Sequence, residues 1–239
     1  SIIATFRIPT SLEITEDTLF STLKTIALHH NINIYDVKDI IVSSVVPHIN
    51  EIFEYLAIDY FNTKAKFVTL ELIEKELNIL DGFERVLGAD RIVDILECKR
   101  LYPRKELIII DFGTATTYDL VTEDGRFVGG VTSPGIRTSA NALWQQAAKL
   151  PEIEIRKPQY ILAKDTVTSM QGGLVYGYIG QTEYIIRKMK EESGLGKINV
   201  VATGGLGKMI AQETSFINYY DANLTLKGLQ IIYDKQKQD

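Results

Sequence analysis

Apolar positions along the chain recur at two different spacings, and the switches between them outline the elements. Ile2 to Ile8 reads as a short strand closed by Pro9. A helix then begins near Thr15, where Glu16 and Asp17 place acids in the first turn and Leu19, Leu23 and Ile26 line one face. The β-branched run Asp39 to Val46, ended by Pro47, predicts a strand buried on both faces. Ile49, Phe53, Leu56 and Tyr60 predict a second helix, and Lys66 to Leu70 returns to strand character before a polar loop around Asp81 and Gly82. Arg91 to Arg100 is helical again.

The second half opens on the clearest buried strand, Leu107 to Ile110, which runs into Asp111-Phe112-Gly113-Thr114. Thr116 to Val121 and Arg126 to Val131, joined by Glu123-Asp124-Gly125, predict an antiparallel hairpin extending that sheet. Helices are expected over Thr138 to Leu150 and Thr168 to Glu192, and a last strand, Ile198 to Ala202, ends in Thr203-Gly204-Gly205. Strands alternating with helices predict an α/β protein, with a joint near Lys105 between two similar lobes. No fixed-period repeat or low-complexity segment interrupts this pattern.

Composition narrows the functional classes. Of 239 residues, 45% are hydrophobic and 24% charged, an ordinary content for a folded chain with a sizeable core. The formal charge of -5 supplies no global basic field to attract nucleic acid or an anionic membrane. No apolar run approaches the roughly 20 residues of a membrane-spanning helix. One cysteine, Cys98, cannot form an internal disulfide, and three histidines (His29, His30, His48) leave a cysteine and histidine zinc site short of ligands. A cytoplasmic protein is expected.

Four strings could carry chemistry. Asp111 to Asp119, D-F-G-T-A-T-T-Y-D, puts a carboxylate at a strand end beside backbone N–H groups and hydroxyls that a phosphate can approach; the same residues would also make a plain hairpin turn. Thr203 to Gly207, T-G-G-L-G, offers paired glycines against which a flat ligand can lie, or a simple strand-to-helix turn. Gly88 to Arg91, G-A-D-R, reads either as a helix start with Asp90 capping and Arg91 on the surface, or as a base beside an anion clamp. The fourth group is Gly129 to Arg137, Ala147 to Pro151 and Lys164 to Gly177, in which Thr166 stands out as a hydroxyl on a loop before a long helix.

Taken together, S-S-V-V-P, G-A-D-R-I, D-F-G-T-A-T-T-Y-D, G-G-V-T-S-P-G, A-A-K-L-P, T-V-T-S-M-Q-G-G-L-V-Y-G, A-T-G-G-L and L-T-L-K-G-L resemble the type III pantothenate kinases in order and spacing. The resemblance implies a two-lobed actin-like (ribonuclease H-like) α/β fold, each lobe a mixed sheet flanked by helices, with residues 1–105 and 106–239 as the lobes. It implies ATP-dependent phosphorylation of pantothenate, the first step of coenzyme A biosynthesis, by a homodimer that uses magnesium and a potassium (or ammonium) ion. Asp90 then matches the proton acceptor, with Gly88, Ala89 and Arg91 lining the pantothenate site and Thr166 reaching it around the dimer interface. Asp111 matches the monovalent-cation position. Gly113 and Thr114 fall on the ATP phosphate side, and Gly204 and Gly205 on the adenosine side.

The chain departs from the family pattern in two places. The opening D-x-G-N-T strand is absent, and on this resemblance a segment carrying it is expected ahead of Ser1. Ahead of G-A-D-R, Asp81 stands at the usual aromatic position and Phe83-Glu84 at the usual Asn-Pro. Two other functions fit the same residues: a non-catalytic regulator of the Bvg accessory factor type, and a same-fold kinase for another small hydroxylated substrate.

Overall fold

The computed structural model describes residues 2–9, 11, 13–44, 46–69 and 87–237. Two sheets form among them. In the smaller, β1 (Ile40–Val42) pairs in parallel with β2 (Ala65–Phe67), and α2 (Pro47–Phe61) is the crossover. Strand β1 is shorter than the run Asp39 to Val46, because Ser44 turns its hydroxyl to the Val46 N–H at 3.1 Å and Val46 becomes the cap of α2. It is also only half-buried rather than covered on both faces. Helix α1 (Glu16–His29) starts as expected at Thr15, whose hydroxyl accepts the Thr18 N–H at 3.3 Å. Its Leu19 and Phe20 pack against Ile52 and Leu56 of α2, with the Phe20 and Tyr60 rings stacked 3.9 Å apart.

Ile2 to Ile8, expected as a strand, has no regular structure. A strand needs a hydrogen-bonded neighbour. No described strand pairs with this segment, and its Thr5, Phe6 and Arg7 line a cavity instead.

The larger sheet has five strands in the order β5-β4-β3-β6-β7. These are β3 (Glu106–Phe112), β4 (Ala115–Val121), β5 (Phe127–Pro134), β6 (Ile198–Thr203) and β7 (Tyr219–Tyr220). The first three make an antiparallel meander, while β6 runs parallel to β3, and β7 to β6. This mixed sheet with helices on both faces is the arrangement expected of an actin-like lobe.

Alternation along β3 explains the apolar run that marked it. Ile108 and Ile110 face a core completed by α4 (Ile136–Gln146), α5 (Thr166–Ser193) and α6 (Gly207–Ala211). Leu107 and Ile109 face the other way, into a core shared with α3 (Ala89–Leu101) and α7 (Leu224–Gln236). All four are at most 2% exposed, and burial of each side chain is worth about 1.5–3 kcal/mol. Helix α3 precedes residue 105 yet sits on this sheet. Helix α7 and the two-residue β7 were not foreseen. The former also reaches the smaller sheet, where the Tyr233 hydroxyl donates to Asp39, the residue before β1, at 2.5 Å.

Close approach of α3 and α7 depends on Gly228, where an added Cβ would overlap the backbone carbonyl of Val93. Gly228→Ala is expected to destabilise the protein by about 1–3 kcal/mol in urea denaturation. Gly180, in α5 with nothing near its missing side chain, is the control: Gly180→Ala should stabilise by about 0.5–1 kcal/mol. Equal effects of the two substitutions would show that helix packing at Gly228 is looser than described.

Candidate active site

Strands β3 and β6 run in parallel with Asp111 opposite Thr203, so the turns that follow them leave the same end of the sheet side by side. In open α/β sheets, the carboxyl ends of parallel strands next to a change of direction are where ligands bind. Each turn is anchored from behind. The Thr114 carbonyl accepts the Gly135 N–H at 2.9 Å and the Thr138 hydroxyl at 2.7 Å, which ties the first turn to the start of α4. The Gly204 carbonyl accepts the Tyr220 hydroxyl at 2.9 Å. Gly204 has φ +92°, and a Cβ there would stand 2.6 Å from Asp111 Oδ1 and from the Phe112 backbone. Only glycine fits.

Between the turns lies a cavity of about 1000 Å³, walled by Asp111, Gly113, Thr114, Gly204 and Gly205. All five residues expected on the nucleotide and cation side are therefore brought together. Sequence reasoning missed Arg7, Asn141, Asn223 and Thr225, which share the wall; Arg137 closes a string that had been noted, without a role. The cavity carries two guanidinium residues, Arg7 and Arg137, against one carboxylate, Asp111, a balance suited to a polyanion. Burial, reinforced by the nearby Asp90 charge and opposed by Arg7, pushes the Asp111 carboxyl up to about 6. A cation there would restore the ionised form. Among the described residues no cluster of three or more acidic, His or Cys side chains is set to hold a metal. The donor set fits a monovalent cation held by one carboxylate and completed by phosphate oxygens and water, and leaves magnesium to ligands on the nucleotide itself.

The G-A-D-R string sits at the start of α3. Gly88 is the cap, without a side-chain bond, and Ala89 the first helical residue. Asp90 is the second rather than the capping residue. Its Oδ1 accepts the Arg91 N–H at 2.9 Å, and its exposed carboxylate is near enough to Asp111 to act on that group's charge. Arg91 is not a surface charge: its side chain is 13% exposed and grips Asp119 of β4 through Nε and Nη2. Burial works against the Arg91 charge, and the hydrogen bonds and charge of Asp119 more than offset it, holding the guanidinium above its ordinary pKa. Thr166 is the first residue of α5 rather than part of a loop, with Asp165 as cap. It borders a separate groove with Ser139, Leu143, Met170 and Tyr178, and the single chain does not bring it to the cavity. Asp81, Phe83 and Glu84 lie outside the described residues.

Two further acids complete the surroundings. Asp119 closes the D-F-G-T-A-T-T-Y-D string, a signal that was in view. Asp94, one turn beyond Asp90, had none; it is 3% exposed, its Oδ1 has no partner, and it faces Thr225 of the cavity wall. Burial above all, against that hydrogen bond and with Asp111, Asp90 and Asp119 adding to it, pushes Asp94 up to about 8.

Residues 1–188 match the family model of type III pantothenate kinase. The chain belongs to that family. A type III pantothenate kinase from Agathobacter rectalis is 50% identical over 235 residues, covering 98% of this chain and 90% of its own. One from Fusobacterium nucleatum is 44% identical over 241 residues, covering 99% and 91%. One from Bacillus cytotoxicus is 46% identical over 230 residues, covering 96% and 87%. Among solved structures, a conserved Campylobacter jejuni protein assigned to the Baf family of transcriptional activators superposes with a TM-score of 0.56 at 20% identity, covering 86% of each chain, and so shares the fold.

A group whose pKa is raised on folding stabilises the folded state while protonated. The contribution of Asp94 is therefore full below its ordinary value of 3.8 and is lost as pH rises to about 8. Asp94→Asn removes this dependence. Relative to wild type, the variant is expected to gain on the order of a few kcal/mol in urea unfolding between pH 4 and 8. Parallel pH profiles for the two proteins would show that Asp94 ionises normally in the fold.

Proposed function

We propose that the protein is an ATP-dependent kinase that transfers the γ-phosphoryl group to the primary hydroxyl of pantothenate, forming 4'-phosphopantothenate at the first step of coenzyme A biosynthesis. The observation that carries this reading is the meeting of three strings, D-F-G-T and T-G-G around one cavity and G-A-D-R beside it, in a chain of the type III pantothenate kinase family. The protein works as two lobes, residues 1–105 and 106–239, with α3 of the first docked on the sheet of the second. This docking brings Asp90 near Asp111.

The polyphosphate lies against the 113–114 turn with Arg7 and Arg137 offsetting its charge, and the adenosine side lies against Gly204 and Gly205. The pantothenate hydroxyl stands at Asp90. As its oxygen forms the new bond to the γ-phosphorus, the proton passes to the Asp90 carboxylate, and the bond to the β-phosphate oxygen breaks to release ADP. Gly88, Ala89 and Arg91 form the wall behind this hydroxyl. Asp111 is the residue that would hold potassium or ammonium, and that cation, with the magnesium of the nucleotide, would offset phosphate charge when bound. Thr166 contributes from a second copy in a homodimer, across the groove between α4 and α5. The cytoplasm suits a protein whose one cysteine, Cys98, is free and buried.

Purified protein given ATP and pantothenate should form phosphopantothenate, faster with potassium than with sodium, and should not consume ATP at comparable rate without pantothenate. Asp90→Asn should cut kcat by about 10²–10⁴-fold while leaving the unfolding midpoint nearly unchanged, since its carboxylate is exposed and accepts a neighbouring N–H that the Asn oxygen can also accept. Asp111→Ala should weaken ATP binding and abolish the preference for potassium. Full activity of Asp90→Asn would reduce Asp90 to a helix-start acid, and a folded wild type without turnover would favour a binding role for this chain.

A further inference from the structure

The start of α3 is held in an unusual way. Its cap is a glycine without a side-chain bond. From Ile92 onward the helix is seated by apolar packing on the sheet, with Lys99 near its far end donating to the Thr122 carbonyl at 3.1 Å. Ahead of Ile92, the fork between Arg91 and Asp119 is a polar tie to the sheet. Three parts of the chain make it. Arg91 donates through Nε to both oxygens of Asp119, at 3.1 and 3.0 Å, and through Nη2 to Oδ1. Its guanidinium also lies 5.5 Å from the ring centre of Phe127 on β5. Behind the pair stands Gly130 of β5, the register partner of Asp119; a Cβ there would come within 2.7 Å of Arg91 Nη2, Asp119 Oδ1 and the Tyr118 carbonyl oxygen. The Asp119 side chain is 3% exposed.

We infer that Asp119 is a positioning residue for Asp90. The fork, with Gly130 giving it room, docks the first turn of α3 onto β4 and β5 and so sets where the neighbouring carboxylate stands. A buried bidentate pair is directional, unlike the apolar contacts farther along the helix, and it fixes rotation as well as distance. The inference rests on the reading of Asp90 as the proton acceptor.

The test uses Asp119→Asn and Arg91→Lys in the full chain, with Asp90→Asn beside them; lysine keeps the charge and loses the fork. Both fork variants are expected to lose at least about tenfold in kcat for pantothenate phosphorylation, because a small misplacement of a reacting group is costly. Their calorimetric Kd for ATP should stay within about twofold of wild type, with unchanged stoichiometry, because the Asp111 and Gly204 turns are held by hydrogen bonds from Gly135, Thr138 and Tyr220, and the Asp119 charge is the last and smallest of the influences on Asp111. Amides of residues 90–93 should exchange with solvent at least about tenfold faster, and those of β3 at the wild-type rate. Wild-type kcat in the folded fork variants, unchanged exchange at residues 90–93, or a kcat that falls only in step with ATP-binding stoichiometry would each overturn the inference. If Asp119→Asn does not fold, Arg91→Lys supplies the same readouts. Loss of turnover in Asp90→Asn with none in the fork variants overturns the positioning role alone, whereas full activity of Asp90→Asn overturns the reading of Asp90 and the positioning role with it.

Discussion

Parallel pairing of β3 with β6, with Asp111 opposite Thr203, is the constraint on which the rest of the site depends. The register sends two glycine-containing turns off one end of the sheet at the same level. Because β3 is buried on both faces, neither turn can move without disturbing a core. Gly204 is pressed so closely onto Asp111 and Phe112 that the carboxylate is held against the backbone of the neighbouring turn. Distance between the walls of the cavity is thus a property of the sheet, which is stiff, rather than of loops.

Electrostatics follow from the same packing. Seating α3 and α7 on one face of the sheet takes Asp94 and Asp119 out of water and leaves Asp90 and Asp111 close to them. Burial raises Asp119, and the Arg91 fork pulls it part of the way back. Asp94 has only a hydroxyl as partner and rises much further. Asp119 and Asp90 lie near the Arg91 guanidinium, and their charges in turn help burial to raise Asp94 and Asp111. A cation beside Asp111 would favour its ionised form.

The two families of contact divide the work. Hydrogen bonds to carbonyl oxygens, from Thr138, Gly135 and Tyr220, shape the cavity, whereas the ionic fork locates the helix beside it. On the proposed reading, the backbone-anchored turns hold a flexible polyanion and the directional buried pair places Asp90.

Much of this was legible along the chain. Local periodicity and caps located α1, α2, α3, α5, β3, β4 and β6, because these elements bury a face whose spacing the chain itself repeats. The glycines and acid of D-F-G-T and T-G-G marked the residues that wall the cavity, through backbone needs that are local. Other features were not legible, for stated reasons. Ile2 to Ile8 has strand composition, but strand formation depends on a neighbour. Asp94 carries no motif, since its burial arises from α7, more than a hundred residues later. Arg91 has the composition of a surface charge or an anion clamp, and only the arrival of β4 and Gly130 decides that its fork goes to Asp119. Thr166 sits in a readable string, yet the sheet places it on a separate groove. Residue spacing alone therefore determined most of the elements and the glycine-rich turns, because those follow from interactions within a few residues, while the family was legible through the resemblance of the strings. Tertiary structure alone decided which carboxylates meet, which guanidinium is paired with Asp119 and how the helix start carrying Asp90 is held, because those contacts join segments far apart in the chain and exist only once the sheet has set their register.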